Sequence, residues 1–111
     1  MAAKHGIQVY EILDNGRVLN GIYTNSGLID INGYQIDNEI ATKTDTDKKG
    51  IEGDYKCRFI EKDNSSVKTC NLSIAKKGYA YEFKWKVDDV GFEGIGLMVG
   101  KDHIAISFVE V

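Results

Sequence analysis

Along most of the chain apolar and polar residues alternate with a period of two, the pattern of a strand with one buried face. Nowhere does the three-to-four-residue spacing of an amphipathic helix take over. The first run, "GIQVYEIL", stops at "DNG" (14–16), where Asn15 and Gly16 both accept the positive φ of a hairpin turn, and "RVLNGIYTN" continues to "SG" at 26–27. Two shorter stretches, "LIDI" and "YQIDNEIATK", lead into polar "TDTDKKG" (44–50), the one long loop. Four cleaner strands follow, "DYKCRFIEK", "VKTCNLSIA", "YAYEFKWKVD" and "GFEGIGLMV", and "DHIAISFVEV" closes the chain. About nine strands at roughly 8–12-residue spacing, with no proline and no linker, predict a single all-β domain over 1–111. The expected architecture is an antiparallel, meandering β-barrel of about eight to ten strands, with a β-sandwich as the alternative.

The turns also predict registers. A two-residue turn at Asp88 and Asp89 sets Val87 opposite Val90, Trp85 opposite Phe92, Phe83 opposite Gly94 and Tyr81 opposite Gly96. Aromatic rings then lie over glycines, covering backbone and filling space that a side chain would crowd. This gives the glycines of "GFEGIGLMVG" (91–100) a packing role. A phosphate cradle would need a helix after the glycine turn, and strand-like sequence continues on both sides. A turn at Lys77 and Gly78 pairs Ile74 with Tyr81, Leu72 with Phe83 and Cys70 with Trp85. A turn at Asp63 and Asn64 brings Cys57 opposite Cys70 at a non-hydrogen-bonded site, where Cα atoms about 4.5 Å apart stand near the low end of disulfide geometry. Two readings stay open for that pair: a disulfide, kept only in an exported or periplasmic protein, or two buried thiols in a cytoplasmic one.

A three-residue loop at Gly100, Lys101 and Asp102 places Met98 over Ile104, Gly96 over Ile106 and Gly94 over Phe108, whereas a tighter loop would pair Leu97 with Ile104. The first register again sets large residues over the glycines. The predicted interior is Tyr23, Tyr55, Cys57, Phe59, Cys70, Leu72, Ile74, Tyr79, Tyr81, Phe83, Trp85, Phe92, Ile104, Ile106 and Phe108, with Met98 inward at the end of its strand. Ile95, Leu97, Val99 and Val109 then face outward, and the expectation is that the N-terminal segment 1–13 or a second copy covers them, a homodimer being preferred.

Composition narrows the function classes. A net charge of −3 with scattered lysines argues against a nucleic-acid partner held through phosphates. No apolar run is long enough for a helical membrane span, and "MAAKHGIQVY" lacks the apolar core of a signal peptide. His5 and His103 read as surface residues, and no short-spaced Cys/His cluster suggests zinc. "DTDKKGIEGDYK" begins like a calcium loop, but Lys49 and Lys56 stand at ligand positions, so a solvated acidic loop is the reading. Glu82, Asp88, Asp89 and Glu93 fall on exposed faces or in turns rather than as an acid–base pair. "NSS" (64–66) and "NLS" (71–73) match a glycosylation sequon of low specificity. No metal, cofactor or catalytic residue is predicted.

The succession "GDYKC" (53–57), "YAYEFKW" (79–85), "GFEGIGLMVG" (91–100) and "HIAISF" (103–108) resembles a group of small bacterial β proteins of unknown function, over residues 50–108. Their recurring residues are the glycines and aromatics assigned above to packing, so the resemblance implies a shared fold and is silent on activity. "DNGRVLNGIYTN" (14–25) is similar to the strand pair near the start of avidin-like barrels, which implies a calycin-like barrel. The biotin binders of that class line their pocket with several tryptophans, and this chain has only Trp85.

The functional expectation is a non-enzymatic barrel that binds a small apolar or aromatic ligand in its lumen, lined by Tyr23, Tyr55, Tyr81, Phe83, Trp85 and Phe92. The alternative is a protein–protein or envelope-associated structural protein with no small ligand. A cavity of about 300 Å³ or more beside Trp85 separates the two, since a filled lumen with an outer apolar patch would favour partners.

Overall fold

The computed structural model describes residues 3–45, 47–60 and 67–111. Ten strands follow one another: β1 (His5–Leu13), β2 (Val18–Asn25), β3 (Ile29–Asp30), β4 (Gly33–Tyr34), β5 (Asp37–Lys43), β6 (Gly53–Ile60), β7 (Val67–Lys77), β8 (Ala80–Val87), β9 (Val90–Val99) and β10 (His103–Glu110). Eight of them close into an antiparallel barrel in the order β1-β10-β9-β8-β7-β6-β5-β2, with β2 returning to β1. The two-residue strands β3 and β4 form a separate small hairpin. Closure leaves the barrel itself without an unpaired sheet edge, which is how a chain this rich in strand limits edge-to-edge association. Among the described residues the one helical element is a single 3-10 turn, Asp14–Gly16, where Asp14, Asn15 and Gly16 all take positive φ.

Two of the predicted registers are observed. Trp85 faces Phe92, Phe83 faces Gly94 and Tyr81 faces Gly96 across β8 and β9, and Met98, Gly96 and Gly94 face Ile104, Ile106 and Phe108 across β9 and β10. A β-carbon on Gly96 would stand 2.7 Å from the Phe83 ring, so the glycine is there to admit that ring. Cys57 and Cys70 lie opposite one another as expected, buried and as free thiols. The turn inferred at Asp63 and Asn64 lies outside the described residues.

The β7–β8 register differs from expectation. Lys77 pairs with Ala80, Ile74 with Phe83 and Leu72 with Trp85, so the turn is Gly78–Tyr79 rather than Lys77–Gly78. Gly78 takes φ +65°, and a hairpin turn with glycine first and a larger residue second satisfies that backbone directly. Sliding the turn by one residue moves each partner by two, which leaves the faces unchanged. It also carries Tyr79 out of the predicted interior to the tip of the hairpin, fully exposed. Met98 belongs to the inner row by register but sits at the barrel rim, more than a third exposed.

The core runs through the lumen: Tyr55, Cys57, Cys70, Leu72, Ile74, Phe83, Trp85, Ile104, Ile106 and Phe108, as expected, together with Tyr10, Leu19, Ala41 and Ile51, which were not foreseen. Tyr23, Phe59, Tyr81 and Phe92 pack partly buried against it. One end of the barrel is shut. The Tyr55 hydroxyl lies 2.6 Å from the carbonyl of Gly16 and 2.9 Å from that of Ile51, tying the β1–β2 turn to the 44–52 loop beneath the core. Gly16, at φ +93°, lets the two segments touch, since a β-carbon there would meet the Gly50 carbonyl at 2.2 Å. The Lys43 ammonium donates to the carbonyls of Lys48 and Gly50 and so ties the end of β5 to the acidic loop.

Candidate functional site

The other end of the barrel is open. A cavity of about 370 Å³ enters it between the ends of all eight barrel strands, within the ~300–1,000 Å³ range of small-molecule pockets. Five rings wall it: Tyr23, Phe59, Trp85, Phe92 and Phe108. They support one another edge to face, Trp85 against Phe108 at 5.7 Å, Phe92 against Phe108 at 6.0 Å and Tyr23 against Phe59 at 6.1 Å between centroids. Behind them Phe83 is stacked between Tyr10 and Trp85. Alternation along each strand places these rings, because every one of them occupies an inward position of its ladder.

Polar groups line the deeper part. Glu39, only 2% exposed, accepts a hydrogen bond from Gln8 Nε2 at 3.2 Å on one carboxylate oxygen. Its other oxygen accepts from the Tyr10 hydroxyl and from Trp85 Nε1 at 3.4 Å, the indole N–H being shared with the Tyr10 oxygen at 3.2 Å. Gly21 makes this arrangement possible. It lies between Tyr10 and Glu39 in the ladder, and a β-carbon there would collide with the Tyr10 ring at 2.7 Å and with Gln8 Nε2 at 2.9 Å. Tyr10 therefore crosses over β2 and reaches a carboxylate two strands away.

Burial dominates the electrostatics. It raises the Glu39 carboxyl above the usual carboxylate range, outweighing the donors that favour the charged form. Tyr10 is pushed well above the ordinary tyrosine range by burial first and then by the Glu39 charge. The Cys57 thiol is raised by its hydrogen bond with Cys70, by burial and by Glu39. Asp37, also buried, lies two residues before Glu39 on the same face and lines the cavity. Lys4, Lys68, Asp88 and Glu110 complete its outer part.

The six residues expected to line a ligand site separate into groups. Tyr23, Trp85 and Phe92 wall the cavity; Phe83 is fully buried behind it; Tyr55 seals the opposite end; Tyr81 packs partly buried at the core margin. The sequence reading missed Gln8, Tyr10, Asp37 and Glu39. The available signal was strand parity, since Gln8 and Tyr10 alternate with Ile7 and Val9, but the apolar pair is on the outside. A larger hollow of about 650 Å³ lies on the β6–β9 face among residues such as Lys56, Asn71, Ser73 and Lys84. Its polar side chains belong to the outward rows and converge on no buried group.

The outer surface has two characters. On β6–β8 the outward residues include Asp54, Lys56, Arg58, Glu82, Lys84 and Lys86. Across β9, β10, β1 and β2 the registered rows read Leu97–Ala105–Val9–Ile22 and Ile95–Ser107–Ile7–Thr24, without a charged side chain. Ile95 is 66% and Ile7 62% exposed, and Leu97, Val99 and Val109 are exposed as well. The N-terminal segment does not cover this stripe, because it enters the barrel beside β10 as strand β1 and extends the same surface. No family model, curated protein or solved structure matches the chain.

Proposed function

We propose that this barrel is a non-catalytic binding protein that holds a small apolar or aromatic molecule in the open half of its lumen. The observation that carries this reading is the roughly 370 Å³ cavity walled by five rings beside Trp85. Rings braced by one another form a preorganised wall, so a guest need not order it on entry. A non-catalytic role is supported by the state of the buried groups: burial holds Tyr10, and the Cys70 hydrogen bond together with burial holds Cys57, in their protonated, weakly nucleophilic forms. Native mass spectrometry of the protein isolated from its own source tests the reading. A small molecule retained by the folded protein and lost from the cavity-filling variant Val87→Trp is the expected result; protein recovered empty counts against it.

The outer stripe supports a second copy of the chain as partner. Its exposed aliphatic area is on the order of 500 Å², at the upper end of patches that monomers leave open and more than half of the ~800 Å² each partner gives to a standard interface. Its relief also suits a two-fold interface. Ile95 and Leu97 form one ridge and Ile7 and Val9 another, with the short side chains of Ala105 and Ser107 between them. Ridges two strands apart, about 10 Å, leave a trough that a ridge of an identical surface fits. Sedimentation equilibrium at micromolar concentration is expected to give a dimer that Leu97→Lys dissociates. A monomeric wild type would overturn this assignment.

A further inference from the structure

We infer that the ligand of the lumen carries a cationic ammonium head, seated beside Glu39, on an apolar or aromatic body held among Trp85, Phe92 and Phe108. This rests on the reading of the lumen as a binding site and adds the chemical class of its occupant. Three features of the cavity converge on it.

The first is the way Glu39 is held. Among the described residues its hydrogen-bond donors are Gln8, Tyr10 and Trp85, all neutral. A carboxyl removed from water and given only neutral donors has its charged form disfavoured for want of a compensating charge, and an ammonium group seated beside it would supply that charge and restore the carboxylate. Its position at the inner part of an open cavity leaves room for that cation to arrive. The second is the wall itself. Aromatic faces attract ammonium groups through their quadrupoles, and clusters of several rings are a known means of recognising alkylated amines. The third is the sign of the remaining lining. Among the described residues of the lining Asp37, Glu39, Asp88 and Glu110 stand against Lys4 and Lys68, four acidic groups to two basic ones, a balance that favours entry of positive charge.

Trp85 is the one tryptophan of the chain and forms part of the wall, so its fluorescence reports occupancy directly. The test is a titration of the full chain at neutral pH with 4-phenylbutylamine and with the isosteric neutral 4-phenylbutan-1-ol. The expected result is an amine affinity about tenfold above that of the alcohol, a preference of the size a desolvated cation–ring contact and a charge pair provide. In Glu39→Gln, checked for folding by circular dichroism, that preference falls to within about threefold while the alcohol binds as before. Equal affinities for amine and alcohol in the wild type would overturn the cationic head and leave the lumen reading standing. If neither probe bound at millimolar concentration, the lumen reading itself would fail. A preference kept in folded Glu39→Gln would overturn the seat at Glu39. Should that variant not fold, nuclear Overhauser contacts between the methylene next to the amine nitrogen and the Glu39 side chain in the wild-type complex decide the seat, and their absence would overturn it.

Discussion

Replacing Gly96 with alanine asks whether the ring packed over it, rather than backbone freedom, keeps glycine on β9. Gly96 lies in ordinary strand conformation, so alanine meets no dihedral penalty there. The new methyl would stand 2.7 Å from Phe83 Cε1, 3.0 Å from Ile106 Cγ1 and 3.1 Å from Ile104 Cδ1. The nearest of these is the end of a side chain, but it has nowhere to go. Phe83 is stacked against Tyr10 at 6.2 Å and Trp85 at 5.5 Å, so moving its ring disturbs two more. Overpacking of this kind costs about 1–3 kcal/mol. The lower chain entropy of alanine in the unfolded state returns roughly 0.5–1 kcal/mol. Three heavy atoms within 3.1 Å put the overpacking in the upper half of its range, so the net loss is about 1–2.5 kcal/mol, a fall in Tm of roughly 5–10 °C for a domain of this size. Urea and thermal unfolding followed by circular dichroism measure it. Gly91→Ala is the control, because its nearest neighbour is the end of the Val111 side chain at 3.2 Å, and it should be no less stable than wild type and up to about 1 kcal/mol more stable. Phe83→Leu supplies the cycle: with the ring gone, Gly96→Ala should lose most of its cost. The reasoning is refuted if Gly96→Ala is as stable as wild type, or if it costs the same with and without the Phe83 ring.

Two further outcomes follow from the tyrosines. Tyr55→Phe leaves the Gly16 and Ile51 carbonyls without their donor at the closed end, which should cost about 1–2 kcal/mol in urea unfolding, while Tyr34→Phe, on the exposed β4, should change stability by less than about 0.5 kcal/mol. Tyr10 and Tyr55 are both held above the ordinary tyrosine range, chiefly by burial. The folded state keeps protons that the unfolded chain releases above about pH 10, so stability is intact below that pH and falls above it by about 1.4 kcal/mol per unit for each of the two. In a spectrophotometric titration at 295 nm these two of the six tyrosines should ionise only on unfolding.

The C-terminal half of the barrel could be read in the sequence because its hairpins are short and its inward rows are almost wholly apolar. The Asp88–Asp89 turn leaves one way to set Phe83 and Trp85 on the same side as Phe92. The β7–β8 register escaped because either turn places Leu72 and Ile74 on the inner face, and only the backbone of Gly78 distinguishes them. The N-terminal half was illegible for a different reason. On β1 and β5 the outward residues Ile7, Val9 and Ile40 are more hydrophobic than inward Gln8, Asp37 and Glu39, so alternation points to the wrong face. The inner polar groups are tolerated because they satisfy one another from strands far apart in the chain, and no local pattern records that. The candidate site was thus half visible: its rings were, its carboxylates were not.

The ladder between β1 and β10, which pairs His5 with Val109, differs in kind from the other seven. Every other ladder of the barrel joins strands that follow one another along the chain, or are parted only by the small β3–β4 hairpin. Those can zip progressively, each new strand adding to a growing ribbon at a small loop-closure cost. The β1–β10 seam alone demands that the two ends of the ribbon find each other, so its closure is the event that carries the entropic barrier to folding. Until it closes, two strand edges stand bare, and the seam is where neighbouring chains would exchange strands instead of completing their own barrels.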